Sequence, residues 1–328
     1  MSKVALITGV NGQDGYYLSS YLESLGYEVH GTVRSKSDTV GEKNGNIHYL
    51  DLAIPWNLES ILDSVKPDEV YNLAAQSHVG QSFKNPIYTL DVTGLGAIRV
   101  FEACRNYRDR TGKQIKIYQA SSSEMFGSHT GVVKFNEFSK LSPQSPYAAA
   151  KVLAHQTANI YRKSYDMFIC CGILFNHESV KRGEGFVTRK ITLAASRIKC
   201  GLQDKLLLGD IYSLRDWGFA GDYVEAMNLM LTADVPQNYV VATGKTNSVK
   251  DIIDLAFGYV GLDPEKYVES NSPMFNRPDD VTALIGDASK IKELGWNITY
   301  KFEDIIENMM RYDLALAKKE KDYGSITT

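Results

Sequence analysis

The fold is decided by "VALITGVNGQDG", residues 4–15. An apolar run ends at Gly9, Gly12 and Gly15, and leucines at helical spacing follow as far as Leu25. Glycines between a strand and a helix permit a tight turn and let backbone N–H groups approach a phosphate closely. The stretch therefore predicts a strand, a turn that binds a dinucleotide pyrophosphate, and a helix. A plain tight turn is the alternative.

The alternation of strand-like and helical segments continues through the first half of the chain. Strands alternating with helices predict a parallel sheet covered on both faces, with ligands at the carboxyl ends of the strands. We therefore predict the α/β class, with a Rossmann-type doubly wound parallel sheet. The further strands are predicted at 27–33, 46–50, 69–75, 115–121 and 167–174, and the clearest helices near 91–106 and 146–163.

The rhythm becomes irregular after about residue 175. "NHESVKRGEGFVTRK" (176–190) is polar and contains glycine, unlike a core element. A strand at 238–243, a helix capped by Ser248 and an amphipathic helix near 302–319 follow. We predict a dinucleotide-binding domain over 1–175. Residues 176–328 would form mainly a smaller, irregular α/β substrate-binding lobe, interleaved with the first domain.

Composition excludes several classes of function. The chain has 328 residues, 44% hydrophobic and 23% charged, with a net charge of −3. Nothing suggests a basic face for nucleic acid, no segment approaches the roughly 20 apolar residues of a membrane span, and the start lacks the plan of a signal peptide. The cysteines form no Cys-x-x-Cys pair and suit a reducing compartment. We expect a cytoplasmic protein with no metal, nucleic-acid or membrane partner.

A second decisive stretch is "YQASSSEMFG", residues 118–127, where an acid, Glu124, follows a serine cluster that includes Ser122. Downstream, "SPYAAAK" places Tyr147 and Lys151 four residues apart on one helix face. A neighbouring ammonium and a cationic nicotinamide would lower the pKa of Tyr147, which could then take a proton from a sugar hydroxyl. The alternatives are an ion-paired or helix-capping Glu124 and a surface pair of Tyr147 and Lys151.

The segment after the second strand bears on the choice of cofactor. A carboxylate roughly 20 residues past the glycine turn would favour NAD, but the chain has Arg34, Ser35 and Lys36 there. These side chains suit a 2′-phosphate, so we predict NADP; NAD remains possible if Arg34 stacks on the adenine. Asp51 and Leu52 would flank the adenine.

The combined motifs resemble the extended short-chain dehydrogenase/reductases and, more narrowly, the GDP-mannose 4,6-dehydratase family. The resemblance runs from residue 3 to about residue 281. The stretches after residue 170 are more specific than the cofactor motifs. The matching stretches are "KVALITGVNGQDG", "PDEVYNLAAQSHV", "YQASSSE", "SPYAAAK", "GILFNHES", "RGEGFVTRKIT", "SLRDWG" and "RPDDV".

The resemblance implies a hydro-lyase with tightly bound NADP(H) that forms a GDP-4-keto-6-deoxy sugar. Tyr147 would deprotonate the C4 hydroxyl as hydride leaves C4. Glu124 would abstract the C5 proton, water would leave from C6, and hydride would return to C6. Ser122, where the family usually has threonine, would polarise the O4 region, and Lys151 would tune Tyr147 and hold the nicotinamide ribose.

The resemblance also implies two sets of binding residues. Arg215 and Arg277 would grip the diphosphate, Lys190 would reach the guanine carbonyl, and Asp280 would hold the ribose where the family has glutamate. His177 also fits a structural histidine, and Arg182 an ordinary surface arginine. The predicted cofactor-binding residues are Gly9, Asn11, Gly12, Gln13, Asp14, Gly15, Arg34, Ser35, Asp51, Leu52, Leu73, Ala74, Ala75, Tyr147, Lys151, His177 and Arg182. The predicted substrate-binding residues are Ser77, Gly80, Gln81, Ser122, Glu124, Asn176, Val187, Lys190, Arg215, Arg277 and Asp280.

Two departures from the family pattern affect the expected substrate and assembly. Gly80 and Gln81 replace an alanine and a valine beside the hexose, which suits a 2-acetamido group; the substrate is then GDP-N-acetylglucosamine rather than GDP-mannose. The loop after Arg34 is shorter than in the family, which weakens both the tetramer and the NADP choice. A homodimer through the helices near 91–106 and 146–163 is the default expectation, with a homotetramer as the alternative.

Two rival functions remain open at the level of sequence. A 4-keto reductase or epimerase would share the fold, but it would not need Glu124. A nucleotide-sensing regulator would not need to retain Ser122, Tyr147 and Lys151. The hexose, the downstream pathway and the oligomer are not fixed by sequence.

Overall fold

The structure is a computed structural model that describes residues 2–35, 46–54, 56–128, 134–270 and 283–324. The strands are β1 (Val4–Thr8), β2 (Glu28–Val33), β3 (Ile47–Tyr49), β4 (Glu69–Asn72), β5 (Lys116–Ser122), β6 (Lys134–Phe135), β7 (Ile169–Leu174), β8 (Asn176–Glu178), β9 (Leu206–Leu207), β10 (Leu214–Arg215), β11 (Trp217–Phe219), β12 (Asn238–Val241), β13 (Asn247–Ser248), β14 (Val268–Glu269) and β15 (Ala283–Gly286). The helices are α1 (Gln13–Ser24), α2 (Leu58–Val65), α3 (Val79–Lys84), α4 (Pro86–Thr89), α5 (Gly96–Thr111), α6 (Pro146–Ser164), α7 (Val187–Cys200), α8 (Ala220–Thr232), α9 (Val249–Tyr259), α10 (Ser289–Glu293) and α11 (Phe302–Gly324). Shorter helical segments are a π-helix at Leu90–Leu95 and 3₁₀ turns at Ser123–Met125 and Pro264–Lys266.

The central sheet has, within the described residues, seven strands in the order β12-β7-β5-β4-β1-β2-β3. Every neighbouring pair is parallel. The prediction of a doubly wound parallel sheet is confirmed. The strand order reverses beside β1, and ligands of such sheets bind in the crevice outside the strand ends at that reversal.

A line of polar side chains crosses the sheet where the central strands end. The Thr8 hydroxyl donates to the Asn72 side-chain oxygen at 2.8 Å, and the Asn72 amide donates to Gln119 at 2.7 Å. All three side chains are buried. Buried polar groups need partners, and these bonds join β1, β4 and β5 at the edge where the crevice opens.

Both faces of the sheet are covered by helices. Leu18 and Leu22 of α1 pack with Met227 of α8 in one apolar cluster. Phe101 of α5 and Ala154 of α6 belong to the cluster on the other face, together with α2. The predicted helix near 91–106 begins as a π-helix, and its regular part, α5, extends to residue 111.

The second lobe surrounds a third apolar cluster contributed by α7, α9 and α11. Ser248 caps α9 in a reciprocal capping box, as its sequence predicts. The expectation that 176–190 is unlike a core element holds for its middle, where 181 and 183–185 are exposed, but was wrong for 177–179 and 188–189, which are buried. Glu178 and Arg189 are buried there, because each finds a partner inside the protein: Thr188 for Glu178, and Asp313 at 2.8 Å for Arg189.

The described part of the chain holds neither a helix that could span a membrane nor a cluster of metal ligands. Among those residues, no helix has both the length and the apolar character that a bilayer crossing requires. Likewise, no group of at least three histidine, cysteine, aspartate or glutamate side chains in the described ranges is arranged to hold a metal ion.

Candidate active site

A cavity of about 590 Å³ opens at the carboxyl ends of β1, β2, β4, β5 and β7. The four predicted catalytic residues line it, and so do all the predicted cofactor-binding residues except Ser35. Ser35 is half-buried just beyond Arg34. The parallel sheet thus brings together side chains that lie far apart in the sequence.

The glycine turn forms one wall of the cavity. Gly9 has φ of +71°, a conformation that favours glycine. A Cβ on Gly15 would lie 2.5 Å from the Val10 backbone, so the close contact between turn and helix requires glycine. Helix α1 starts at Gln13 with its N-terminus beside the cavity, an arrangement that suits a pyrophosphate.

Two side chains at the start of α1 reach into the second lobe. The Asp14 carboxylate lies 3.0 Å from Nε2 of His177, and the Gln13 amide accepts from Ser179 at 2.8 Å and donates to the His177 carbonyl at 3.0 Å. Burial opposes both charges, but each partner outweighs it: the pKa of Asp14 is lowered and that of His177 is raised. His177 also stacks on Tyr223, with ring centroids 4.6 Å apart.

Arg34 lines the cavity directly after β2. Its guanidinium donates to the Tyr88 hydroxyl at 3.0 Å, and both residues line the cavity. Asp51 and Leu52 lie nearby after β3, as predicted for residues that flank an adenine. Lys36 lies outside the described residues.

Glu124 sits in the short turn that follows β5. The Ser122 hydroxyl accepts from the Glu124 backbone N–H at 3.3 Å, and both residues line the cavity. Within the described residues the Glu124 carboxylate forms no ion pair, so the ion-paired alternative finds no support there. A carboxylate without a cation can accept a proton from a bound molecule.

Tyr147 and Lys151 are both buried, so they are not a surface pair. Lys151 Nζ donates to the Ala120 carbonyl at 2.8 Å and lies 5.8 Å from the centre of the Tyr147 ring. Burial raises the pKa of Tyr147 to about 12, although the bond from Ser122 opposes this, and burial lowers the pKa of Lys151 to about 8. The expected lowering of the Tyr147 pKa is therefore not a property of the protein alone, because burial outweighs the nearby hydroxyl.

The predicted substrate-binding residues fall into separate groups. Ser77 and Asn176 line the main cavity with Ser122 and Glu124. Lys190 lines a second cavity of about 310 Å³, with Glu184 and Arg197. The rest are elsewhere: Gly80, Gln81, Val187 and Arg215 line neither cavity, and Arg277 and Asp280 lie outside the described residues.

Several lining residues were missed by the sequence analysis. Tyr88, Ser121, Phe175, Lys181 and Phe186 all face the cavity. Ser121 lies in the quoted serine cluster, and Lys181 and Phe186 lie in the polar stretch after residue 175. Because the sequence analysis singled out both stretches, these three residues could have been predicted as cavity residues. Tyr88 follows no motif, and only its contact with Arg34 reveals it.

The fold matches solved nucleotide-sugar enzymes. A UDP-glucose 4-epimerase from Thermus thermophilus in complex with NAD superposes with a TM-score of 0.84 at 24% identity, covering 94% of this chain and 98% of that one. The protein RMD from Pseudomonas aeruginosa, complexed with NADPH, superposes with a TM-score of 0.80 at 20% identity. The match covers 96% of this chain and 100% of that one. At this identity the match shows the fold alone, which is a Rossmann-type α/β fold.

Sequence comparison identifies the family to which the chain belongs. The family described as GDP-mannose 4,6 dehydratase matches residues 6–309. GDP-mannose 4,6 dehydratase 1 of Arabidopsis thaliana is 51% identical over 97% of this chain and 92% of its own length. GDP-mannose 4,6 dehydratase of Dictyostelium discoideum is 41% identical over 98% of this chain and 99% of its own length. The chain belongs to the GDP-mannose 4,6-dehydratase family, and the rival reductase or epimerase is not favoured.

Proposed function

We propose that this protein converts GDP-mannose to its 4-keto-6-deoxy product by loss of water, using NADP(H) retained in the cavity. The observation that carries the proposal is the meeting of Ser122, Glu124, Tyr147 and Lys151 in one cavity with the glycine turn. The relatives named above, which are GDP-mannose dehydratases, support the substrate.

The cavity fits a nicotinamide dinucleotide. Gly9 and Gly15 allow the tight turn that places the N-terminus of α1 at the cavity, because a Cβ on Gly9 would lie 3.0 Å from Ala74 and one on Gly15 2.5 Å from Val10. A helix N-terminus in this position suits a pyrophosphate. Arg34 would hold the adenine-ribose end, and Tyr147 and Lys151 the nicotinamide end. When bound, the cofactor supplies a reversible hydride acceptor.

The protein's own residues then move protons. The Tyr147 oxygen takes the proton of the sugar O4 hydroxyl, assisted by Ser122, which interacts with that phenol. With a bound cofactor to take the C4 hydride, the sugar would carry a 4-keto group, which acidifies the C5 hydrogen. The Glu124 carboxylate accepts the C5 proton and passes it to the C6 hydroxyl, which departs as water. Lys151 is buried beside Tyr147. While the Lys151 amine is protonated, its positive charge stabilises negative charge on the Tyr147 oxygen.

Mass spectrometry of the product tests the reaction. Purified protein incubated with GDP-mannose, without added NADPH, should give a product lighter by one water. Steady consumption of added NADPH, with no loss of water, would instead indicate a reductase and overturn the proposal.

GDP-N-acetylglucosamine is the second candidate substrate, suggested by Gly80 and Gln81. Both residues lie on α3, and neither lines the cavity, which weakens that argument. Turnover of the two GDP-sugars should be compared under matched conditions. We expect faster turnover of GDP-mannose, and exclusive turnover of GDP-N-acetylglucosamine would refute our choice.

The preference for NADP over NAD rests on Arg34. Replacing Arg34 with Asp would repel a 2′-phosphate, and we expect it to weaken NADP binding at least tenfold relative to NAD. Tyr88→Phe is the matched control, because it removes the partner of Arg34 but keeps the cation. An unchanged NADP/NAD ratio in Arg34→Asp would exclude a phosphate contact.

We further propose a homodimer that works in the cytoplasm, with residues 1–175 forming mainly the cofactor domain. Exposed apolar side chains on α6 and on the π-helix that precedes α5, such as Leu95, Leu153 and Ile160, support association of two copies through this face. The four cysteines are free and buried, which suits a reducing compartment. Light scattering would distinguish the dimer from a tetramer.

A further inference from the structure

A chain of four buried or half-buried side chains runs from α6 to the catalytic end of β5. Nη2 of Arg162 donates to the side-chain oxygen of Asn238 at 2.8 Å. The Asn238 amide nitrogen lies 3.2 Å from Nε2 of His155, and Nδ1 of His155 lies 2.8 Å from the Ser121 hydroxyl. The chain joins α6, the start of β12 and the end of β5.

The direction of every hydrogen bond in this chain follows from Arg162. A guanidinium only donates, so the Asn238 oxygen faces Arg162 and the Asn238 NH₂ group faces His155. Nε2 of His155 must then accept. Burial lowers the pKa of His155 to about 4, so the imidazole is neutral near pH 7 and carries its single proton on Nδ1. His155 therefore donates to the Ser121 hydroxyl.

Ser121 lies between two residues that hold the catalytic set. The carbonyl of the preceding residue, Ala120, accepts from Lys151, and the hydroxyl of the following residue, Ser122, interacts with Tyr147. Tyr147, Lys151 and His155 are spaced four apart and share one face of α6. Three successive turns of α6 thus contact three successive residues of β5.

We propose that His155 is a positioning residue for the dehydration: its Nδ1 proton, fixed by Asn238 and Arg162, anchors Ser121 and so holds the end of β5 in register with Tyr147 and Lys151. This inference rests on the proposed function, because its kinetic consequence is read in the dehydratase reaction. The tautomer itself can be measured without any turnover.

The first test is nitrogen-15 NMR of the wild-type protein, labelled at histidine. The chain has six histidines, and the His155 signals are assigned by their loss in His155→Asn. We expect protonation on Nδ1 in the wild type and a shift of the proton to Nε2 in Asn238→Asp, where a carboxylate can only accept. A wild-type His155 protonated on Nε2 would overturn the proposal, whatever the substrate is.

The second test is kinetic. His155→Leu keeps a similar volume but removes the donor, and we expect kcat to fall about tenfold with KM changed less than twofold, since misplaced reacting groups impair chemistry more than binding. His155→Asn places an amide donor near the Nδ1 position and should recover most of that loss. Lys318→Leu, at an exposed position of α11, is the control and should match the wild type. Equal kcat for wild type and His155→Leu, or equal loss in the Leu and Asn variants, would refute the positioning role.

Discussion

The imidazole of His177 lies 3.0 Å from both carboxylate oxygens of Asp14, which ties the first turn of α1 to β8. An ion pair therefore joins the helix that follows the glycine turn to β8. Both side chains are largely buried, so the pair is poorly screened by solvent. The geometry of the glycine turn consequently depends on residues that lie 163 positions further along the chain.

Replacing His177 with Gln should destabilise the protein in a pH-dependent way. The raised pKa of His177 means that its charged form stabilises the fold below pH 6.5, and this is lost as pH rises through the folded pKa. The lowered pKa of Asp14 means that its contribution is present above pH 3.8 and is lost as pH falls through the folded pKa. The variant should lose about 3 kcal/mol of its free energy of unfolding. This loss should be greatest between pH 3.8 and pH 6.5. Urea unfolding at several pH values measures it, and a pH-independent deficit would show that the ion pair does not contribute.

Glu124→Gln should abolish the loss of water and leave substrate binding nearly intact. The amide has the same shape but cannot accept the C5 proton, so we expect kcat to fall about 10³-fold. Calorimetry should find the affinity for GDP-mannose within about threefold of the wild type, as expected when a lost group acts only in the transition state. Glu303→Gln, at an exposed position of α11, is the control for loss of a carboxylate. Wild-type product formation by Glu124→Gln would contradict the role of this residue.

The pH dependence of kcat should report Tyr147 and Lys151. With its pKa raised to about 12, Tyr147 becomes a better base as the pH rises, so kcat should increase from pH 6 towards about 8. Above about pH 8, Lys151 loses its proton and the charge that favours the phenolate disappears, so kcat should decline. Lys151→Arg keeps a cation at high pH, and its residual activity should lack that decline. If kcat of the wild type and of Lys151→Arg declined with the same midpoint pH, the decline would belong to a group other than Lys151.

Gly15→Ala should destabilise the protein and impair cofactor retention. The added Cβ would lie 2.5 Å from the Val10 backbone, which must move and distort the turn, at a cost of about 2 kcal/mol. Gly258→Ala is the matched control, because a Cβ there meets nothing within 4 Å and α9 gains helix propensity of about 0.5–1 kcal/mol. Thermal unfolding and the NADP(H) content of the purified proteins measure both effects. A stable, cofactor-loaded Gly15→Ala would show that the turn tolerates a side chain.

Much of the fold could be predicted from the sequence because its signals are local. The glycine turn and the apolar runs lie within short windows, and β1 lies within the stretch 4–15 that predicted it. The meeting of Ser122, Tyr147 and Lys151 in one cavity could also be predicted, since these residues stand in short motifs at the strand end and the helix start. Alternating elements then place these motifs at one edge of a parallel sheet.

What could not be predicted depends on contacts between distant segments. The pairing of Asp14 with His177, and of Arg189 with Asp313, joins residues without a shared motif. These partners explain why His177 and Arg189 are buried within a polar stretch, which its composition does not indicate. The separation of Lys190 from the main cavity likewise depends on how α7 packs beside β9.

The position of β12 has a consequence for synthesis of the protein on the ribosome. Strand β7 pairs with β5 on one side and with β12 on the other, and β12 starts at residue 238. Until that segment emerges, the nascent amino-terminal half presents β7 as an open edge, the kind of surface that promotes association between unfinished chains. Strand β12 is therefore the last strand to join the sheet, and it covers the edge of β7. A nascent chain that stops before β12 is synthesised remains prone to aggregation.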